Sequence, residues 1–386
     1  MKVALVVPHI FMHKDILPQV IFSPAALAIG LAEGMQSQGA SVTLFSPGPI
    51  DTTVTNQTAD LSLFEAELAG RGYGYTELLK KHPATFIALA RQVQSELIAR
   101  AFTQANEGKF DVVHIYTNEE DIALQFAKLC SKPVVFTHHD PFNFLIRYKS
   151  VFPKYKDLNW ISMSLAQRAG MPQDTNWIAN IYHGLDPKRF EPSYNTRHSY
   201  VAYIGRIIES KGVHLAIAAV QAYNKTHTRP LTLKIAGKHY AGNKDTYWEE
   251  RIKPTLTDPH IEYVGFIDND KDKQAFLGGA DALLSPSIFD EPFGMVLIEA
   301  LACGTPVIGL KSGAIPEVIT DGKTGLIVDK QTEDAATIAL LAQKIDELSK
   351  INRTVCRQVF ETRFTIERMC KEHLTTYAKV AQGSDI

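Results

Sequence analysis

Two glutamates, Glu291 and Glu299, frame the most informative stretch of the sequence: Phe289-Asp290-Glu291-Pro292-Phe293-Gly294-Met295-Val296-Leu297-Ile298-Glu299-Ala300-Leu301-Ala302-Cys303-Gly304-Thr305-Pro306. Pro292 and Gly294 mark a loop, and no breaker follows Met295 until Gly304. The pattern therefore predicts a helix over 295–302 with Glu291 at its mouth. The amides of Gly294, Met295 and Val296 open that helix without intrahelical acceptors, and such a place binds a diphosphate well. Glu299 falls about one turn further in. A carboxylate accepts two hydrogen bonds from a vicinal diol, so Glu299 suits a ribose and Glu291 a sugar ring, with Phe293 in the same loop. Two glutamates taken alone are more often a solvated helix face. The ordered string of turn residues and apolar helix around them favours a binding site.

Gly205-Arg206 closes an apolar run and Lys211-Gly212 precedes a helical one, so both cations share one strand-to-helix loop. A departing nucleoside diphosphate carries negative charge that two fixed cations can neutralise without a metal, Arg206 by forked hydrogen bonds and Lys211 as a point charge. Alone, the pair would read as ordinary surface cations. Thr137-His138-His139-Asp140 follows another apolar run, where a histidine is more often structural than functional. Phe142 and Phe144 come next; such rings stack on the apolar face of a sugar or pack in a core. Ser23 and Pro24 read as the N-cap and first residue of a helix whose start can face a ligand. The insertion from His9 to Ile21, and Tyr73 and Tyr75 among Gly70, Gly72 and Gly74, are acceptor-loop candidates or ordinary surface loops. Ser23, Tyr73 and Phe142 are thus the acceptor-side candidates.

These residues need a frame. Val3 to Val7 is an apolar run of strand length, Ala25 to Gln38 has helical spacing, and Ser41 to Phe45 reads as the next strand. Asp111 to Ile115 and Pro133 to Thr137 flank a helical stretch over Ile122 to Cys130, and such runs, apolar on both faces, are those of buried parallel strands. Pro187 to Asn195 has linker composition. The pattern then restarts, with Tyr200 to Gly205, Leu231 to Ala236, Ile261 to Val264, Ala282 to Ser285 and Pro306 to Gly309 as strands and Val213 to Tyr223 as a helix. The expectation is an α/β protein of two Rossmann-like domains, 1–190 and 191–362, whose parallel sheets face an interdomain cleft. Ligands of open parallel sheets bind beyond the carboxyl ends of the strands, so chemistry belongs to the loops that follow them.

The chain has 386 residues, 45% hydrophobic and 21% charged, which suits two well-packed cores and excludes a disordered protein. Forty Lys+Arg against 42 Asp+Glu leave a formal net charge of -2, so no bulk field draws it to nucleic acid. Lys80-Lys81-His82 with Arg91 and Arg100 reads as a solvated helix face more than as a lipid contact, so peripheral membrane contact is possible but not indicated. No stretch reaches the ~18 apolar residues of a membrane span, and the opening apolar run is too short for a signal-peptide core. Cys130, Cys303, Cys356 and Cys370 form no Cys-x-x-Cys pair, which argues against zinc, redox or disulfide roles and for reduced thiols in the cytoplasm. The sequons at Asn56, Asn224 and Asn352 are then chance matches.

The Phe289–Pro306 string resembles the donor-binding signature of glycosyltransferase family 4, the retaining group 1 enzymes of GT-B fold. Ser312 to Ile319 and Asp321 to Val328 resemble its continuation. Gly205-Arg206 with Lys211-Gly212 is similar to the family's Gly-Arg and Lys-Gly element. Thr137-His138-His139-Asp140 is similar to its Thr-x-His-Asp pattern, which selects His139. The resemblance implies a GT-B fold and retaining transfer of a hexosyl unit from a nucleoside-diphosphate sugar, most often a UDP-sugar. The acceptor would be a glycan, a lipid-linked molecule or a small molecule. It implies Arg206, Lys211, Glu291 and His139 as catalytic residues, and Gly205, Phe293, Gly294, Met295, Val296 and Glu299 as donor-binding residues. It implies no cofactor beyond the co-substrate, no metal, and front-face transfer in which the leaving phosphate helps accept the proton of the incoming hydroxyl. The final stretch, 363–386, resembles the terminal helix that returns to the first domain. The sequence departs from the family where many relatives carry a Gly-rich loop after the first strand: no glycine precedes Gly30, which leaves the acceptor open. A sugar-nucleotide 2-epimerase and a non-catalytic partner subunit that binds nucleotide sugar or glycan are the alternatives.

Overall fold

The computed structural model describes residues 1–16, 22–194, 200–239 and 245–383, the Ser23 side chain excepted. Among the described residues two sheets form, each parallel throughout. The first comprises β1 (Lys2–Val6), β2 (Ser41–Ser46), β3 (Thr55–Thr58), β4 (Val112–Thr117), β5 (Val134–His138), β6 (Asn159–Ser162) and β7 (Trp177–Asn180), ordered β3-β2-β1-β4-β5-β6-β7. The second comprises β8 (Tyr200–Ile204), β9 (Thr232–Ala236), β10 (Ile261–Gly265), β11 (Leu283–Ser285), β12 (Val307–Leu310) and β13 (Gly325–Val328), ordered β10-β9-β8-β11-β12-β13. The apolar runs become the inner strands because both sheet faces are covered; every residue of β4 and β5 is buried. Strands β3, β6 and β7 have no counterpart in the sequence reading. They are four residues long and carry polar side chains, so neither length nor alternation marks them.

The chain forms two compact units, Met1–Met163 with Arg168–Tyr182 and Ile366–Ile386, and Ser164–Gln167 with His183–Thr365. The changeovers thus lie at 182/183 and 365/366 rather than at the expected 190 and 362. The short 164–167 segment is held in the second unit: Ser164 Oγ donates to Pro292 O at 2.6 Å, and the Glu317 carboxylate accepts from the amides of Leu165 (2.8 Å) and Ala166 (2.7 Å). The stretch from Pro187, linker-like in composition, is also bound to the second unit over its described residues. Arg357 donates to the carbonyls of Phe190 (2.6 Å), Pro187 (3.1 Å) and Ala302 (2.8 Å), Arg353 donates to that of Ser193 (2.6 Å), and Phe190 is fully buried. Two arginines satisfy the carbonyls that a free linker would leave to water.

In the first unit the helix Ile366–Ala381 lies on the helix Ser23–Ser37, where Cys370 Sγ reaches Leu31 O at 3.6 Å. A Cβ on Gly34 would stand 2.5 Å from that sulfur, so the early glycines of this chain serve helix packing. Tyr377 of the same helix is buried with its hydroxyl on His114 Nδ1, and His114 Nε2 lies 2.9 Å from Thr137 Oγ1.

Candidate active site

Strands β8, β11 and β12 are neighbours in the second sheet, so the loops that leave their carboxyl ends emerge side by side. The loop after β8 tightens into a 3-10 turn, Glu209–Lys211, and Gly212 (φ 71) opens the helix Val213–Thr226. A Cβ on Gly212 would stand 2.0 Å from Pro286 O, so only glycine lets this turn meet the loop after β11. Ser210 O then accepts from the amides of Ile288 (3.0 Å) and Phe289 (3.1 Å). From the other side, Ser312 Oγ donates to Ser287 O at 2.7 Å, Ala314 N donates to Glu291 O at 2.8 Å, and Gly313 (φ 48) presses on the Glu291 backbone. Glu291 is thus clamped between two loops.

The clamp brings Glu291 into an ion pair with Lys211, and Ser287 Oγ donates to Glu291 Oε1 at 3.3 Å. Lys211 Nζ also lies 5.5 Å from the centroid of the Phe289 ring. Burial, seconded by the charge of Arg206, brings the Lys211 ammonium down to about 7. Arg206 itself is exposed, and its carbonyl accepts from Tyr203 Oη at 2.9 Å. An ammonium whose charge is that weakly held gains from any anion placed beside it. Gly205 donates to Ala236 O at 3.0 Å, and a Cβ on Gly237 would stand 1.9 Å from Gly205 O, so the start of the Arg206 loop is a glycine-to-glycine backbone contact.

The helix Met295–Ala302 forms over the expected residues, because Gly294 (φ 89) starts it and the chain turns at Gly304 (φ 75). The amides of Met295 and Val296 lack intrahelical acceptors, and the helix dipole adds positive potential at the same point. Glu299 is 8% exposed and accepts from Lys273 Nζ at 2.9 Å. Lys273 stands on the helix Asp270–Gly278, and its role is absent from the sequence reading because nothing in the spacing links it to Glu299. Phe293 is fully buried, edge-on to His183 (centroids 5.0 Å apart) and Phe364 (6.1 Å), so its ring belongs to the core beneath the loop.

The structure therefore gathers Gly205, Arg206, Lys211, Glu291, Phe293, Gly294, Met295, Val296 and Glu299 in the second unit; His139, Phe142, Tyr73 and Ser23 lie in the first. His139 follows β5 and meets Tyr116 edge-on at 4.2 Å between centroids. Its neighbour His138 is fully buried, with Nδ1 at 3.0 and 3.1 Å from the two Glu120 carboxylate oxygens. Desolvation brings His138 down to about 4 and raises Glu120 well above the carboxylate range. Burial thus works against charge on both members of the pair, a contact the sequence does not announce. Phe142, expected as an acceptor contact, is 1% exposed within an aromatic cluster of His138, Phe152, Trp160 and Trp177, and that packing occupies its ring. Tyr73 stacks on His82 with Lys81 Nζ 4.6 Å from its ring centroid. Ser23 is the first helical residue with Phe22 at the cap, one position off the expectation, and its side chain lies outside the described residues. The His9–Ile21 insertion begins with a 3-10 turn, Ile10–Met12, and residues 17–21 lie outside the described residues. Among the described residues no three His, Cys, Asp or Glu side chains are grouped to hold a metal.

The family described as glycosyl transferases group 1 matches residues 186–357, the span that holds the whole second-unit site. The chain is 23% identical over 349 residues to the phosphatidyl-myo-inositol mannosyltransferase of Propionibacterium freudenreichii, covering 85% of this chain and 81% of that protein. The solved sucrose-phosphate synthase of Thermosynechococcus elongatus superposes with a TM-score of 0.74 at 18% identity, covering 100% of both chains. Anabaena Alr3699/HepE, solved in complex with UDP and glucose, gives a TM-score of 0.68 at 17% identity over 98% of this chain and 100% of that one. Two parallel α/β units and this likeness define the GT-B fold. Residues 186–357 thus match the group 1 glycosyl transferases, and the relative that aligns over most of the chain is itself named a glycosyl-group transferase.

Proposed function

We propose that the chain is a retaining hexosyltransferase of glycosyltransferase family 4 that uses a UDP-sugar and needs no metal. The observation that carries this is the Lys211–Glu291 pair, clamped by backbone contacts beside the opening of the Met295 helix. Arg206, Lys211 and the opening amides hold the diphosphate, Glu299 takes the ribose diol and Glu291 orients the sugar, and the family resemblance assigns His139 to the sugar as well. The bond from the anomeric carbon to the phosphate oxygen breaks as the acceptor oxygen bonds to the same face of that carbon. The acceptor proton passes to the leaving phosphate. Arg206 and Lys211 stabilise the charge that develops there, where fixed cations act without reorganisation. The UDP bound by Anabaena Alr3699/HepE supports uridine as the base, and four free cysteines support a cytoplasmic location. Ser23 and Tyr73 stand as acceptor-side candidates for a glycan, lipid-linked or small-molecule acceptor; Phe142 supports that side by packing.

The test starts with thermal unfolding against a panel of nucleotide sugars, since a ligand at ~100 times its Kd adds about 2.7 kcal/mol of stability. The stabilising donor is then followed by nuclear magnetic resonance with and without candidate acceptors. Retention at the anomeric carbon, with turnover lost in Lys211→Ala and Glu291→Ala, is expected. Inverted product, conversion without acceptor, or near-normal turnover of the two variants overturns the proposal.

A further inference from the structure

The segment that follows His139 and Asp140 displays apolar side chains that the fold does not bury. Phe144 is 53% exposed, Leu145 37% and Ile146 84%. Single exposed apolar residues are ordinary, but three in succession at a loop-to-helix turn mark a contact surface. The turn is braced from within. Phe142, Tyr148 and Phe152 are buried around it, and the Tyr148 and Phe152 rings stack at 4.9 Å. With those anchors in the core, the helix Ile146–Val151 presents Ile146, Arg147, Lys149 and Ser150 outward.

Charge points to the occupant. From Pro141 to Lys156 the chain carries Arg147, Lys149, Lys154 and Lys156 and no carboxylate, in a protein of formal net charge -2. Lys149 and Lys154 are exposed, while Arg147 pairs with Asp121 at 3.3 Å and Lys156 with Asp174. The basic face considered from the sequence is different in kind: Lys81 and Arg100 pair with Glu77 and Glu96 of their own helices. No described helix is long and apolar enough to cross a membrane, so a bilayer would be met from its surface.

We propose that the Phe144-Leu145-Ile146 tip, with Lys149 and Lys154, is a docking surface for an anionic lipid bilayer. The tip enters the boundary between headgroups and acyl chains while the ammonium groups meet lipid phosphates, the combination of apolar area and basic charge that gives reversible interfacial binding. The surface shares its loop with His139, so docking holds that end of the first unit at the membrane. This goes beyond the transfer reading and is measured without donor or acceptor, so either can fail alone.

The full chain is floated with vesicles of phosphatidylcholine, and with vesicles containing about one-third phosphatidylglycerol. Binding to the anionic vesicles alone, weakened by salt, is expected. Ile146→Ser should lower the partition coefficient about tenfold, and Lys149→Ala with Lys154→Ala about thirtyfold. These residues are exposed, so unchanged melting temperatures will show that the variants fold. No binding, equal binding to neutral vesicles, or variants that bind like the parent chain would overturn the proposal. So would an unbound chain that elutes as a dimer and that Ile146→Ser converts to a monomer, because a second copy would then cover the face.

Discussion

Replacing Gly313 by alanine, with Gly322→Ala as its partner experiment, asks whether the Glu291 loop is held by backbone contact. Both glycines have left-handed backbone, φ 48 and φ 73, and an alanine in that region costs about 1–2 kcal/mol. They differ in surroundings. A Cβ on Gly313 would lie 2.3 Å from Glu291 O, 2.4 Å from Glu291 N and 2.7 Å from Asp290 C, whereas one on Gly322 meets nothing within 4 Å. Backbone atoms cannot rotate aside, so Gly313→Ala must move the loop. The move breaks the bonds from Ala314 N to Glu291 O and from Ser312 Oγ to Ser287 O, each worth about 1 kcal/mol net. Gly313→Ala is then expected to lose about 2 kcal/mol more than Gly322→Ala, an extra fall of about 4–8 °C in melting temperature for a unit of this size. A displacement near 1 Å at Glu291 should cut donor turnover by about two orders of magnitude, while Gly322→Ala turns over normally. Thermal unfolding and nucleoside diphosphate release measure the two effects. Equal values for the two variants in both assays would refute the reasoning.

With Lys211 brought down to about 7, the free protein holds it largely neutral at about pH 8, and a bound diphosphate restores its proton. Nucleotide binding at that pH should take up a proton and weaken as pH rises; calorimetric heat that does not depend on the ionisation enthalpy of the buffer would contradict this. Lys273→Met strips the cation from Glu299, and with side chains 21% and 11% exposed the effect should stay below that of a fully buried pair. A rise of about tenfold in the Kd for the nucleoside diphosphate is expected, read by calorimetry, and an unchanged Kd would remove Lys273 from the site. His373 is brought down to about 4 by burial, so the folded state binds fewer protons than the unfolded chain between that value and 6.5. Its contribution is fully present above 6.5 and is lost as pH falls towards 4, so His373→Gln should lose less stability on acidification; parallel melting curves would show otherwise.

Where the sequence was legible, one physical signal dominated. Buried parallel strands such as β1, β4, β5 and β8 must be apolar on both faces, and the Met295–Ala302 helix is bracketed by two glycines with positive φ. The same signals mark the loops after strands, which is why Arg206, Lys211, Glu291 and Glu299 could be named together. Contacts made by distant chain segments carry no such mark. Gly313 meets Glu291 because β11 and β12 are neighbours, and Lys273 meets Glu299 because the helices that precede and follow β11 pack together. Glu120 finds His138 in the same way, across β4 and β5. Composition also misled at Pro187 to Ser193, where polar residues read as a linker until Arg353 and Arg357 are seen to bind their carbonyls. Phe142 shows the limit for aromatic residues, since a ring beside a site and a ring beneath it have the same sequence signature.

A crystal structure with UDP bound reaches furthest into this account. The diphosphate should lie at the amides of Met295 and Val296 with the Arg206 and Lys211 side chains on its oxygens, and the ribose hydroxyls on Glu299. A diphosphate found away from that helix start, with Lys211 still paired to Glu291, would contradict it.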